Sequence, residues 1–414
     1  MNNFKRWGIA IAGILIQVAL GAVYAWSVFR VPLAKQFNWS ISEVTLTFTI
    51  AIMALGFASF FGGLWLKRVG PRVVVLTGGV LYGAGVFLAS YSYHGLWWLY
   101  LTYGVIGGVG LGFSYIVPIS VLVKWFPDRR GLMTGIAVGG FGAGALITAP
   151  VATQLIQSVG VLHTFAYLGI VYMIITVIPG YFMQNPPEGW TPGKWTPGKK
   201  QPVHRNTKDF TLGGALKTWQ WWALWLLLFL NTSAGISIIS QEAPLFQDLA
   251  KVTAIIAASM IGIVSIGNAL GRVFWAWASD LMSRRVTFAV MFIMQIGLFW
   301  ILPGLHSAAS VTGIVFIILM CYGGGFGTMP AFVADYFGPT NMGSIYGLIL
   351  TAWGFASAFG PLLIAHMRQT SGAYATGLHV IAGIMAVSVI LPLLVRSPTK
   401  ALAGRAHSDT FNLH

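Results

Sequence analysis

One arginine stands apart from every other charge in its neighbourhood, in Ile266-Gly267-Asn268-Ala269-Leu270-Gly271-Arg272-Val273-Phe274-Trp275. Asp280 closes that apolar run. On a helix rising about 1.5 Å per residue, Arg272 therefore lies roughly 12 Å inside it, near the middle of a hydrocarbon layer. A charge at that depth costs at least about 2.5–3.5 kcal/mol and marks a functional site by default. No acid lies within two turns on the same helix to neutralise it. A guanidinium without a partner in a dry pathway suits a carboxylate, which it grips with two parallel hydrogen bonds. Asn268, one turn earlier, adds an amide able to hydrogen-bond a carboxylate or hydroxyl but unable to carry a proton. The competing reading is a structural arginine satisfied by carbonyls or by an acid from another helix.

Few other side chains could share this chemistry. Tyr24 and Trp26, Phe113 and Tyr115, Tyr322 and Phe326, and Trp353 stand in apolar runs that could line a pathway. Interfacial belts account for many Trp and Tyr residues. That explanation suits Trp97, Trp98, Trp221 and Trp222, and suits Tyr115, Tyr322 and Trp353 poorly because they lie inside their runs. Tyr24, Phe113, Tyr115, Tyr322 and Trp353 are thus candidate substrate contacts beside Arg272 and Asn268. Of the nine acids, seven fall in loops, tails or run ends. Glu242 and Asp248 are the candidate proton carriers, with exposed charges at a helix terminus as the plainer reading. The eight histidines and one cysteine show no metal-ligand spacing, so no metal and no cofactor is expected. The absence of G-x-x-x-x-G-K-[ST] leaves ATP-driven transport unsupported. No nucleophile–base pair points to an enzyme, and no catalytic residue is assigned. Gly139-Gly140-Phe141-Gly142-Ala143-Gly144 reads as helix-packing glycine.

The elements that hold these residues follow from composition. Of 414 residues 57% are hydrophobic and 8% charged, with a mean hydropathy of +0.77, far too few charges to cover a water-soluble protein of this size. Long apolar runs in lipid must be helices, because every backbone polar group has to be satisfied within its own segment. Twelve runs of spanning length occur, near 7–29, 43–66, 72–90, 96–123, 131–155, 162–183, 219–241, 252–276, 286–303, 309–333, 342–366 and 374–395. The expected fold is an all-α membrane protein of twelve transmembrane helices. With the N-terminus inside, nineteen basic residues fall in inner segments and four (Arg30, Lys35, Lys251, Arg368) in outer loops, which places both termini in the cytoplasm. The net charge of +15 is then a topology signal and an anionic-lipid contact, not a nucleic-acid footprint.

One hydrophilic stretch, 184–218, divides the runs six and six and contains Trp-Thr-Pro-Gly-Lys twice in succession from 190 to 199. Pro/Gly/Lys composition of this kind is a linker. The expected organisation is a six-helix bundle over 1–183, a cytoplasmic linker over 184–218, a second bundle over 219–397 and a tail over 398–414. The bundles resemble each other: Gly108, Gly110 and Gly112 correspond to Gly323, Gly325 and Gly327, with Gly131, Gly135 and Gly142 recurring as Gly343, Gly347 and Gly354 at a constant offset of 212 residues, close to the offset of 215 in the first set, the competing reading being coincidence in a chain with 51 Gly. Parallel repeats place a substrate site between the halves near the midplane.

Gly63-Leu64-Trp65-Leu66-Lys67-Arg68-Val69-Gly70-Pro71-Arg72 resembles the inner-loop signature of the major facilitator superfamily, with Lys67 where that signature normally has Asp; Ala278-Ser279-Asp280-Leu281-Met282-Ser283-Arg284-Arg285 in the second half keeps the acid. Leu20-Gly21-Ala22-Val23-Tyr24-Ala25-Trp26-Ser27, Lys124-Trp125-Phe126-Pro127-Asp128-Arg129-Arg130-Gly131-Leu132 and Pro186-Pro187-Glu188-Gly189-Trp190 together resemble the oxalate/formate antiporter family within it, bacterial relatives of the monocarboxylate transporters. The resemblance implies a secondary carrier of small carboxylates by alternating access, in the inner membrane of a bacterium. It also implies that Arg272 binds the substrate carboxylate, and that Arg68, Arg72, Asp128, Arg129, Asp280 and Arg284 pair at helix ends to close the inner face. Two departures narrow this. Span eleven of the oxalate-handling relative supplies a lysine where this chain has Trp353, and eukaryotic monocarboxylate transporters have an acid where this chain has Asn268. One fixed cation favours a monoanion of the lactate, pyruvate, formate or acetate class, carried with a proton or by exchange. The partners expected are that substrate, protons and the bilayer, the carrier being a monomer.

Overall fold

The structure, a computed structural model, describes residues 3–187, 190 and 209–398. Its described elements are helical throughout, and twelve helices are long and apolar enough to cross a membrane. In the first half spans 1 to 6 are Lys5–Trp26, Ser42–Val69, Pro71–His94, Leu96–Trp125, Arg130–Val159 and Val161–Gly180. In the second half spans 7 to 12 are Trp219–Ile239, Ser259–Leu281, Arg284–Gly304, Ala308–Phe337, Met342–Arg368 and Tyr374–Leu394. The face where the N-terminus and residues 184–187 lie is called here the linker face. The doubled Trp-Thr-Pro-Gly-Lys unit after Trp190 and the tail beyond residue 398 lie outside the described residues.

Connections within each half are tight. Gly70 between spans 2 and 3, and Gly160 between spans 5 and 6, each turn the chain alone at φ 83°, a backbone conformation that glycine reaches without a Cβ penalty. Ser40 starts the helix of span 2 with a reciprocal capping box to Glu43. Within the halves, span 4 packs against spans 2 and 3, and span 10 against spans 7 and 8. The corresponding glycines make that possible. A Cβ on Gly112 would fall 2.6 Å from the Ala58 Cβ, and one on Gly323 would fall 2.8 Å from Asn268 Oδ1 and 3.1 Å from Arg272 Cγ. Small residues at these seams let helices in lipid approach backbone to backbone.

The halves meet along two seams, span 5 against span 8 and span 2 against span 11. Gly131, Gly135 and Gly142 carry the first, the last of them facing Ala269 with a Cβ position 3.0 Å from its Cα. Gly343 and Gly347 carry the second, against Gly63 and Ser59. Several spans depart from the uninterrupted helices expected, span 4 for instance opening into a π-helical stretch over Tyr100–Gly107, and two of the departures bear on the site. Span 1 tightens to a 3-10 turn over Gly21–Trp26, where Gly21 lies directly on the Phe141 carbonyl of span 5. Span 11 breaks at Leu350, between helices Met342–Ile349 and Thr351–Ser371, where the Leu350 carbonyl lies against Gly56 of span 2. The turn of span 1 contains Tyr24, and the break in span 11 stands three residues before Trp353.

Candidate functional site

Arg272 is fully buried and crosses from span 8 towards the first half. Its Nε donates to Asn268 Oδ1 (3.3 Å), its Nη1 to the Val138 carbonyl of span 5 (3.2 Å) and its Nη2 to Tyr24 Oη of span 1 (3.3 Å). Among the described residues no acidic side chain forms an ion pair with it. A guanidinium carries about five N–H donors, so donors remain on Nη1 and Nη2 after these three bonds. Aromatic faces complete its surroundings, with the guanidinium carbon 5.2 Å from the Phe326 ring centroid, 5.5 Å from that of Phe141 and 5.8 Å from that of Tyr24. Such contacts stabilise a desolvated cation without neutralising it.

A ring of aromatics drawn from five spans surrounds that charge. Phe141 is edge-on to Tyr24 (5.1 Å) and to Tyr115 (5.3 Å), and Trp353 lies 5.9 Å from Phe141 and 4.7 Å from Phe326. Tyr322 packs on Phe326 at 5.3 Å, and its hydroxyl meets that of Tyr24 at 3.5 Å across the two halves. The buried Tyr115 and Tyr346 hydroxyls face each other and Trp353 Nε1 faces the Tyr322 hydroxyl, in each case short of a well-formed hydrogen bond. A ligand acceptor would satisfy the indole N–H, which can only donate. Of the residues expected here, Arg272, Asn268, Tyr24, Tyr115, Tyr322 and Trp353 come together. Phe113 does not join them: it packs on Trp65 (5.7 Å) and against Gly62 of span 2.

Comparison with known proteins bears on what this arrangement belongs to. Residues 9–361 match the family model of the Major Facilitator Superfamily. The chain belongs to the major facilitator superfamily. It is 30% identical over 363 residues to the MFS-type transporter YhjX of Escherichia coli (strain K12), covering 86% of this chain and 87% of that one. It is 26% identical over 375 residues to the oxalate:formate antiporter of Oxalobacter formigenes, covering 89% of this chain and 86% of that one. Among solved structures, the facilitator-superfamily transporter FucP in its outward conformation superposes with a TM-score of 0.72 at 14% identity, covering 94% of this chain and 98% of that one.

In this facilitator the linker face is held by charges as well as glycines. Asp280 accepts from the Gly131 and Leu132 amides at 3.1 and 2.9 Å, so a carboxylate of the second half caps the helix of span 5 in the first. Asp335, at the end of span 10, accepts from Arg130 (3.1 Å) and Arg284 (3.0 Å), and Arg284 also pairs with Asp280 at 2.6 Å. Asp128 holds Arg6 at 3.2 Å within the first half. Thus Asp128, Asp280 and Arg284 stand where helix ends are tied. Arg68, Arg72 and Arg129 are exposed, and Arg72 stacks over the Tyr181 ring (4.4 Å) instead. On the opposite face the bonds from Arg30 to Thr45 and from Arg368 to Asp248 each stay within one half.

Sequence reasoning missed Arg130 and Asp335, the pair that joins the halves, and missed Phe141. A signal for Phe141 was present, since the 212-residue offset pairs it with Trp353. The two candidate proton carriers lie apart from Arg272. Asp248 is half-exposed and paired with Arg368 at 2.7 Å. Glu242, just beyond the end of span 7, is buried, and that burial pushes its carboxyl up to about 8.

Proposed function

We propose that this facilitator is a secondary carrier of small monocarboxylates, of the lactate, pyruvate, formate and acetate class, working by alternating access in a bacterial inner membrane. The observation that carries the reading is Arg272: a fully buried cation at the seam of the halves, held by three neutral acceptors and left with donors to spare. A carboxylate entering the site gains a desolvated bidentate partner and removes an uncompensated charge at the same time. A second carboxylate on the same ligand would find aromatic faces and neutral donors but no second cation, which favours a monoanion. The oxalate:formate antiporter similarity supports carboxylates as the substrate class.

The basic-residue count supports a cytoplasmic orientation of the linker face, and on that reading this conformation is the one closed towards the cytoplasm. Asp280 and the Arg130–Asp335–Arg284 group close that face; release of substrate inwards requires them to part. Proton coupling through Glu242 is part of the proposal. Obligate anion exchange is the second reading, favoured by the same observation that Arg272 has no acidic counter-ion among the described residues. The direct test is a thermal-shift and proteoliposome-uptake screen of the purified chain against monocarboxylates, dicarboxylates, sugars and nucleosides. Stabilisation and uptake confined to monocarboxylates is expected; stabilisation by sugars or nucleosides with no response to carboxylates would overturn the proposal.

A further inference from the structure

Two buried amides sit behind the site, each against the main chain of a candidate substrate contact. Gln17 of span 1 donates from Nε2 to the main-chain carbonyl of Tyr115 in span 4 (3.1 Å). Asn231 of span 7 donates from Nδ2 to the main-chain carbonyl of Tyr322 in span 10 (3.2 Å). Spans 1 and 7 open their respective halves, and spans 4 and 10 are the related glycine-rich spans, so the same device occurs twice. A helix carbonyl already accepts its own i+4 amide, and a side-chain donor takes its second lone pair. Such a bond fixes where one particular residue stands along and around its helix.

The second half builds the device more fully. Gln295 of span 9 donates to Asn231 Oδ1 at 3.1 Å, and Asn231, Gln295 and Gln17 are all without solvent exposure. Gly325 makes room for the Asn231 amide, and Gly235, one turn beyond Asn231 on span 7, seats the flat of the Tyr322 ring. One turn of span 7 therefore holds Tyr322 at two points, its carbonyl and its ring. The hydroxyl so aimed meets Tyr24 Oη, which receives a donor from Arg272. Polar side chains cost free energy in a helix interior unless bonded, and apolar packing would have served if helix association were their whole task.

We propose that Asn231, braced by Gln295, and Gln17 are positioning residues, each setting one tyrosine of the ring around Arg272: Asn231 sets Tyr322 and Gln17 sets Tyr115. The consequence for substrate rests on the monocarboxylate reading above; the positioning itself does not. The test uses the full chain in detergent with 3-fluorotyrosine placed at position 322 or 115 and read by fluorine NMR. Asn231→Ala should shift or split the line of Tyr322 and leave that of Tyr115 unmoved, while Gln17→Ala should do the reverse. Where Asn231→Ala fails to fold, Asn231→Ser, which keeps a small polar group, is read in the same way. An unmoved Tyr322 line in a folded Asn231 variant, or both lines moving equally in either variant, would overturn the proposal. In parallel, the dissociation constants for formate, acetate, lactate and pyruvate should rise about tenfold in Asn231→Ala and less than twofold further when Tyr322→Phe is already present, one tenfold step being about 1.4 kcal/mol. Failure of the wild-type chain to bind any of the four acids would sink the monocarboxylate reading while leaving the fluorine result to decide the positioning.

Discussion

Arg272 holds its place by geometry that an ammonium could not reproduce. Three of its donors go in three directions, to Asn268, Val138 and Tyr24, and a lysine would bring a compact point charge without the planar fork. Arg272→Lys is expected to fold, to lose stabilisation by monocarboxylates in a thermal-shift assay and to lose most transport; undiminished uptake would mean that the arginine only joins spans 5 and 8. Trp353→Lys adds a cation on the aromatic side of the site, and is expected to move preference towards dicarboxylates such as oxalate, read as competition against a labelled monocarboxylate. Arg272 and Asn268 could be recognised from sequence because a charge at that depth is costly enough to stand out. Phe141 could not be recognised by type, since it sits in a run of glycines that do pack helices, as Gly142 does against Ala269. Arg130 and Arg129 are adjacent and chemically identical. Which of them reaches Asp335 depends on how the halves dock, which local sequence does not encode.

At the scale of elements, the spans were legible because lipid leaves the backbone no alternative to helix, while their interruptions were not. The 3-10 turn of span 1 and the break in span 11 arise where one backbone lies on another, Gly21 on Phe141 and Gly56 on Leu350. These are consequences of packing between distant segments. Closure of the linker face is likewise a matter of helix ends. Asp335 is shared by Arg130 and Arg284, all three nearly buried. Asp335→Asn leaves Arg130 without its carboxylate and Arg284 with Asp280 alone, and breaking a buried pair in this way costs about 3–5 kcal/mol. That cost falls on the closed state, where Arg130 and Asp335 meet across the halves. The variant should therefore populate the state open on the linker face, seen as faster labelling of a cysteine introduced at position 134 or 279 in a chain with Cys321→Ser. Labelling rates unchanged from the parent would show that the glycine seams alone hold that face shut. Gly135→Ala should have the same direction of effect, because its Cβ would fall 2.7 Å from the Arg272 carbonyl at the other seam member; overpacking of this kind costs about 1–3 kcal/mol.

For the whole molecule, the monocarboxylate proposal raises the question of how an anion would be moved against an interior-negative potential, where one elementary charge is worth about 2.3 kcal/mol per 100 mV. A cation that stays with the protein cannot supply that work; a co-moving proton or an exchanged anion can. Asp248 is poorly placed for the proton because Arg368 holds it at 2.7 Å. Glu242 is better placed: burial raises its carboxyl to about 8, so in this state it is mostly protonated at neutral pH. The sign of the linked stability follows. A raised native pKa favours the folded state below the ordinary carboxylate range, and that contribution is lost as pH rises through about 8. The melting temperature should accordingly fall between pH 7 and pH 9 in the wild-type chain, and fall less in Glu242→Gln. If Glu242 also carries the coupled proton, Glu242→Gln abolishes accumulation of monocarboxylate under an imposed pH gradient, while exchange of internal for external substrate survives, since exchange needs no net proton movement. Asp248→Asn should leave accumulation in place. Accumulation that persists in both single variants and in the double variant would remove proton coupling through these residues. The carrier would then be an obligate exchanger, returning across the membrane only with an anion on Arg272, because the empty site leaves a buried cation with no acidic counter-ion among the described residues.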